Sequence, residues 1–157
     1  MLILGCGSAN SGDDAAGWMV ADRLQAMGLP ARRHEGDCLS LIDAWSGHEE
    51  VILVDAMASG REPGSRVVLD ATAEPLSRLR FPCAGSHSFG VGETVELARA
   101  LGALPSKLLI YAIEGSSFEA GSELSAAVRK GVDRAVHEIQ SGTGPLAACH
   151  LRNFPTG

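Results

Sequence analysis

The stretch Met1-Leu2-Ile3-Leu4-Gly5-Cys6-Gly7-Ser8-Ala9-Asn10-Ser11-Gly12-Asp13-Asp14 decides how the rest of the chain is read. Leu2 to Leu4 are continuously apolar, the pattern of a central parallel strand buried on both faces. Glycines at 5, 7 and 12 break the strand into a loop. From Asp14 to Met27, Ala16, Val20, Leu24 and Met27 then fall on one face of a helix. A glycine-rich loop between strand and helix ordinarily cradles phosphate, because its N–H groups and the helix N-terminus favour negative charge. Here Asp13 and Asp14 stand where a phosphate loop carries Lys and Ser or Thr. Carboxylates repel a phosphate and suit a cation or a polar substrate. A dinucleotide fingerprint fails as well, because its third glycine position is Asn10. A Walker A loop through Gly7 and Gly12 would need a Lys where Asp13 stands.

Beyond this opening, strands and helices alternate. Gly28 and Pro30 stop the first helix. Ala31 to Glu35 is a short strand whose Arg32, Arg33 and His34 suit a sheet edge. Leu39 to Trp45 is a short amphipathic helix, and Val51-Ile52-Leu53-Val54-Asp55 is the clearest strand, ending on a carboxylate. Arg66 to Asp70 is a fourth strand. Its connection from the third is too short for a helical crossover, so it is expected to run antiparallel. Thr72 to His87 is read as irregular. A helix over Phe89 to Leu101 and a fifth strand, Lys107 to Ile113, precede Glu114. A closing helix over Ser122 to Ile139 has Ser122 as its N-cap and Leu124, Val128, Val132, Val136 and Ile139 as its apolar stripe. The pattern is an α/β three-layer αβα sandwich, a single domain over residues 1–140 with a tail at 141–157.

Composition narrows the function classes. The chain has 157 residues, 45% hydrophobic and 20% charged, as expected of one soluble domain. A formal charge of −6 argues against non-specific binding to nucleic acid or anionic lipid. No apolar run is long enough to span a bilayer, and no basic segment precedes Leu2, so a cytoplasmic location is expected. Cys6, Cys38, Cys83 and Cys149 have no CxxC spacing and are read as buried small hydrophobes or stray thiols.

The chemistry-bearing residues gather at predicted strand ends. Asp14 follows strand one, Asp55 ends strand three and Glu114 follows strand five. Open parallel sheets form sites beyond the carboxyl ends of their strands, where the strand order reverses. Gly85-Ser86-His87-Ser88 can bring His87 to the same edge, and two carboxylates with an imidazole suit a divalent first-row metal. Asp13 is assigned mainly to helix capping and the helix dipole, and Asp14 is shared between capping and function. His34, His48, His137 and His150 are read as surface groups. There is no G-x-S-x-G elbow and no HExxH motif.

Taken together, these motifs resemble the hydrogenase maturation endopeptidases, which process the large subunit of nickel–iron hydrogenases. The likeness lies in Gly5 to Gly17 (G-x-G, loop, paired acids, then glycine), in Val51 to Ala56, in Ser86-His87-Ser88-Phe89-Gly90, and in Ala112-Ile113-Glu114. It runs collinearly from Met1 to about Ile139. Ser8 stands where the family usually has Asn, and Asn10 and Ser11 make the loop more polar. The segment Glu35 to Ser40, with Gly36, is read as a determinant of which hydrogenase is recognised.

The resemblance implies a mixed five-stranded sheet of order 2-1-3-5-4 with strand four antiparallel. It also implies an aspartyl-type or metal-assisted endopeptidase that removes a C-terminal extension from the nickel-loaded large subunit precursor. Asp14, Asp55 and His87 would be the catalytic and nickel-contacting residues, the nickel being supplied by the precursor and not permanently held. The expected partner is that precursor, with no nucleic acid and no membrane, and the chain is expected to be a monomer. Two other readings keep the same residues: a non-cleaving metal-sensing partner of the precursor, and another small-substrate hydrolase on this fold.

Overall fold

The computed structural model of the chain describes residues 1–35, 37–76 and 90–142. Gly36, His87, Cys83, Cys149 and all but the first two residues of the expected tail lie outside the described residues. The strands are β1 (Leu2–Gly5), β2 (Ala31–Arg33), β3 (Glu50–Met57), β4 (Arg66–Asp70) and β5 (Lys107–Glu114). The helices are α1 (Ala16–Ala26), α2 (Cys38–Trp45), α3 (Val91–Ala100) and α4 (Ala126–Ser141), and a 3-10 turn at Gly12–Ala15 leads into α1.

The five strands form one sheet in the order β2-β1-β3-β5-β4. β1 pairs in parallel with both β2 and β3, and β3 with β5, whereas β4 runs antiparallel to β5. The expected order and the direction of β4 are both borne out. Strand order reverses at β1, which places the switch point between the carboxyl ends of β1 and β3. The edges are β2, with Arg32 and Arg33 exposed, and the half-buried β4. Short, charged edges discourage pairing with another chain.

Alternation along the strands divides the core into two layers. Leu4, Leu53, Met57, Leu108 and Ile110 face α2 and α3, where Leu41, Trp45, Val95 and Ala98 cover them. The buried Trp45 indole donates to Ala103 O at 3.0 Å, so its N–H is satisfied inside that layer. Ile3, Val54, Tyr111 and Ile113 face the opposite way, against Val20 and Leu24 of α1 and Val128, Val132 and Val136 of α4. An ion pair between the largely buried Arg66 and Glu138 ties β4 to α4. Among the described residues, no helix is long and apolar enough to cross a membrane.

Three expectations are corrected in detail. The first helix does not begin directly at Asp14: a 3-10 turn carries both acids, and the α-helix starts at Ala16. The closing helix starts at Ala126 and is capped by Ser125, whose hydroxyl accepts from Val128 N, not by Ser122. Ser122 instead donates to Glu119 O in the preceding loop. His34 is half-buried and not a free surface group; its Nε2 lies 3.4 Å from Ser40 Oγ, and burial lowers its pKa.

Candidate functional site

The site is built on close backbone packing at the switch point. A Cβ on Gly17 would lie 2.2 Å from Cys6 O and 2.3 Å from Val54 O. One on Gly5 would lie 2.1 Å from Gly17 O. The first turn of α1 therefore rests directly on the ends of β1 and β3, which is why glycine stands at 5 and 17. Gly7 has φ +128 and passes so near Asp14 O that a side chain could not fit. The 3-10 turn is thereby brought against β3.

This packing sets Asp14 beside the end of β3. Asp14 and Asp55 are both buried, with 8% and 5% of their surface exposed. Burial raises the Asp55 carboxyl well above the usual carboxylate range, and the Asp14 charge adds to the rise; the Ala56 N–H, donating to Asp55 Oδ1 at 2.9 Å, opposes it. Burial likewise raises Asp14, against hydrogen bonds from the Ser8 hydroxyl and amide. Ser8, the departure in the opening loop, is thus a direct partner of Asp14. None of the ion pairs formed among the described residues involves either carboxylate. Two carboxylates held together away from water favour sharing a proton or receiving a cation.

Cys6 belongs to the same neighbourhood. The β1–β3 register runs from Leu2 opposite Val51 to Gly5 opposite Val54, and the next residues are Cys6 and Asp55. Burial, then Asp55, then Asp14 push the Cys6 thiol well above its ordinary value, so it stays protonated at neutral pH. Sequence reading took Cys6 as a buried small hydrophobe. It is buried and free, but the influence of the two carboxylates on its thiol was not anticipated. Period-2 alternation from Asp55 across the register could have found it.

The other strand-end carboxylates serve the framework. Asp13 does not cap its own helix through its side chain, which corrects its assignment. Its carboxylate crosses to the loop between β5 and α4 and accepts from the amides of Ser116 at 2.7 Å, Ser117 at 3.1 Å and Ser125 at 2.7 Å. Burial raises its pKa, but these amides together outweigh that and hold it below the usual value. Glu114 is buried and accepts from Ser59 N and Gly60 N, both at 2.9 Å, and from Ser59 Oγ at 2.7 Å. It pins the β3–β4 loop.

These contacts predict how Glu114 tolerates substitution. In Glu114→Gln, the amide oxygen can keep the 2.9 Å bonds from Ser59 N and Gly60 N, while the NH2 takes the place of Oε2, gives up the longer 3.2 Å bond from Ser59 N and donates to a reversed Ser59 hydroxyl. Thermal melts should show Glu114→Gln within about 1 kcal/mol of the parent, whereas Glu114→Ala, which strands buried amides, loses roughly 2–3 kcal/mol. A Gln variant as unstable as the Ala variant would mean that the charge, not the hydrogen bonds, holds the loop.

Asp14 and Asp55 thus come to one edge of the sheet, and the third predicted contact, His87, lies outside the described residues. Among the described residues, no group of three or more His, Cys, Asp or Glu is arranged to hold a metal ion.

Comparison with known proteins gives this edge a context. The chain is 27% identical over 132 residues to Protein FrxA of Pyrococcus furiosus, covering 83% of this chain and 95% of that protein. The structure superposes on the maturating endopeptidase HybD of Escherichia coli with a TM-score of 0.70 and 21% identity, over 97% of this chain and 93% of the other. It also matches the [NiFe] hydrogenase maturation protease HybD of Thermococcus kodakarensis, with a TM-score of 0.69 and 23% identity, over 89% and 96% of the two chains. At these identities the structural matches show a shared fold. The HycI family profile, described as hydrogenase maturation protease, matches residues 37–142, more than half of the chain. That stretch contains Asp55 and the position of His87. On this match, the chain belongs to the hydrogenase maturation protease family.

Proposed function

We propose that this protein cleaves one peptide bond near the C-terminus of a nickel-loaded hydrogenase large subunit precursor, and that Asp14, Asp55 and His87 are the residues that meet the nickel. The nickel belongs to the substrate. The observation that supports this reading best is the pair of buried carboxylates at the switch point, both raised by burial, Asp55 further by the Asp14 charge, and without a cationic partner among the ion pairs of the described residues. Such a pair is costly for a protein to keep unless it has a use. An arriving divalent cation relieves the repulsion and draws the carboxylates into their ionised form.

The family assignment supplies the reaction class, and the local geometry suggests how the work is divided. Asp14 and Asp55 occupy open positions on the substrate's metal, with His87 as a nitrogen donor. This docks only a precursor that carries the metal. A water polarised by the metal or by one carboxylate attacks the scissile carbonyl; the carboxylate takes up the water's proton and hands it to the amide nitrogen, which leaves as the amine of the released extension when the C–N bond breaks. No nucleophilic Ser or Cys is needed. In the metal-free protein, burial and the two carboxylates keep the Cys6 thiol protonated.

The test incubates the protein with its precursor in nickel-loaded and nickel-free forms and follows loss of the C-terminal extension by mass spectrometry. Cleavage of the loaded form alone is expected. Equal cleavage of both forms would remove the metal from recognition. Binding of the loaded form without cleavage would leave a metal-sensing partner in place of a protease.

A further inference from the structure

We infer that Asp13 is a positioning residue for Asp14: its carboxylate is a strut that fixes the 3-10 turn against the β5–α4 loop and so aims Asp14 at Asp55. The inference rests on the reading of Asp14 as a substrate-contacting group. The carrier of Asp14, Gly12–Ala15, is a single 3-10 turn. Such turns have poor internal hydrogen-bond geometry and do not fix their own orientation. Something outside the turn must do so, and the structure contains a concentrated set of contacts that can.

Five donors from a loop more than 100 residues away in sequence converge on the Asp13 carboxylate. They are the amides of Ser116, Ser117 and Ser125, and the hydroxyls of Ser116 and Ser125 at 3.1 Å each. The backbone joins in the same direction, with Asp13 N donating to Ser117 O at 2.8 Å and Gly121 N donating to Asn10 O at 2.7 Å. Packing is equally close: a Cβ on Gly12 would meet Ser117 O at 2.5 Å, and one on Gly115 would meet Asp13 Cβ at 3.1 Å. Consecutive residues of one turn thus face different partners. Asp13 is held by the loop, and Asp14 is left for the crevice, with the Ser8 hydroxyl and amide as its hydrogen-bond donors. Ser125 is also the N-cap of α4, so the strut joins the start of α1 to the start of α4.

Donor count makes the role specific to a carboxylate. Oδ2 accepts from Ser116 N and Ser117 N while Oδ1 accepts from Ser125 N. An asparagine has one acceptor oxygen, so Asp13→Asn sets an NH2 against at least one backbone amide, and an amide cannot reverse as a hydroxyl can. The turn must then shift, carrying Asp14 with it, while the surface that meets the precursor elsewhere is unchanged.

The experiment measures single-turnover cleavage of the nickel-loaded precursor at varied protease concentration. It separates the limiting rate from the concentration at half-maximal rate, at a temperature where melts show each variant fully folded. Asp13→Asn should lower the limiting rate about 10- to 100-fold, the range lost when partners that orient a metal-facing group are removed, with the half-maximal concentration changed less than about threefold. Arg66→Met, which breaks the β4–α4 ion pair away from the site, is the stability control and should melt earlier while keeping its limiting rate. Ser116→Ala removes one hydroxyl donor to Asp13 and leaves the α4 cap at Ser125 in place, and should lower the limiting rate in the same direction if Asp13→Asn does not fold. An unchanged limiting rate in whichever of these variants folds, or an equal loss in the Arg66→Met control, overturns the positioning role. Asp14→Asn separates the two levels: if it is inactive beside a fully active Asp13→Asn, only the strut fails, and if it is active, the reading of Asp14 fails first.

Discussion

Asp55→Asn should abolish processing and at the same time make the protein more stable at neutral pH. Loss of activity is expected to be about 100-fold or more, the lower range for a positioned acid–base group. Asparagine keeps the shape and can keep the hydrogen bond from Ala56 N, but it neither ligates a cation as a carboxylate does nor takes up a proton. The gain in stability comes from the same feature. Asp55 is buried beside Asp14 and Cys6, and burial is the first cause of its raised pKa. Between the ordinary carboxylate value near pH 4 and its raised folded value, the folded state binds more protons than the unfolded state. Stability contributed by this group therefore falls as pH rises through that window. The variant has no such group to deprotonate, so its advantage grows from near zero around pH 4 toward neutral pH. Each kcal/mol relieved should appear as roughly 2–4 °C in Tm.

The measurement is a series of metal-free melts of parent and variant from pH 4 to pH 8, paired with the processing assay. A Tm difference that stays constant with pH would show that Asp55 is not held at a cost in the folded state. An active Asp55→Asn would remove it from the chemistry whatever its stability. A protein that keeps a destabilising carboxylate pair whose removal abolishes cleavage trades stability for a site.

The sequence made β3, β4 and β5 legible because strand period, β-branched residues and connection length are local properties. Arg66 to Asp70 was placed to the residue, and its antiparallel direction followed from the short link before it. The same locality explains what was misplaced. Ser122 and Ser125 are equally good N-caps by residue type; Ser125 takes the position, with its amide held by Asp13 from more than 100 residues away. Asp13 looked like a cap because the donors that claim it are backbone amides, which residue identity does not mark. Glu114 had an open role for the corresponding reason, since a strand-end carboxylate seems available until Ser59 and Gly60 are seen to occupy it. Among the described strand-end carboxylates, Asp14 and Asp55 remain after those two are accounted for. Subtracting occupied carboxylates needed a structure, whereas nominating them did not.

Gly17→Ala is the substitution most damaging to the fold, and it would reach the site through the backbone. The added methyl would lie 2.2 Å from Cys6 O and 2.3 Å from Val54 O, with Cys6 N at 2.9 Å. Main-chain atoms of two central strands cannot swing aside as a side chain tip can. The first turn of α1 must lift from the sheet, or β1 and β3 must part at the switch point. Overpacking of this kind costs roughly 3 kcal/mol or more, a large fraction of the stability of an ordinary domain. Gly28→Ala is the informative comparison. A Cβ there meets nothing within 4 Å, so only the φ of +85 opposes it, at roughly 1–2 kcal/mol. Urea unfolding of the two variants should separate them clearly. If Gly17→Ala folds at all, its lifted helix start carries the 3-10 turn away from β3, so processing should fall further than the remaining folded fraction accounts for. A Gly17→Ala protein as stable as Gly28→Ala, with full activity, would mean that α1 does not rest on the strand ends and that Asp14 is not delivered to Asp55 by that contact.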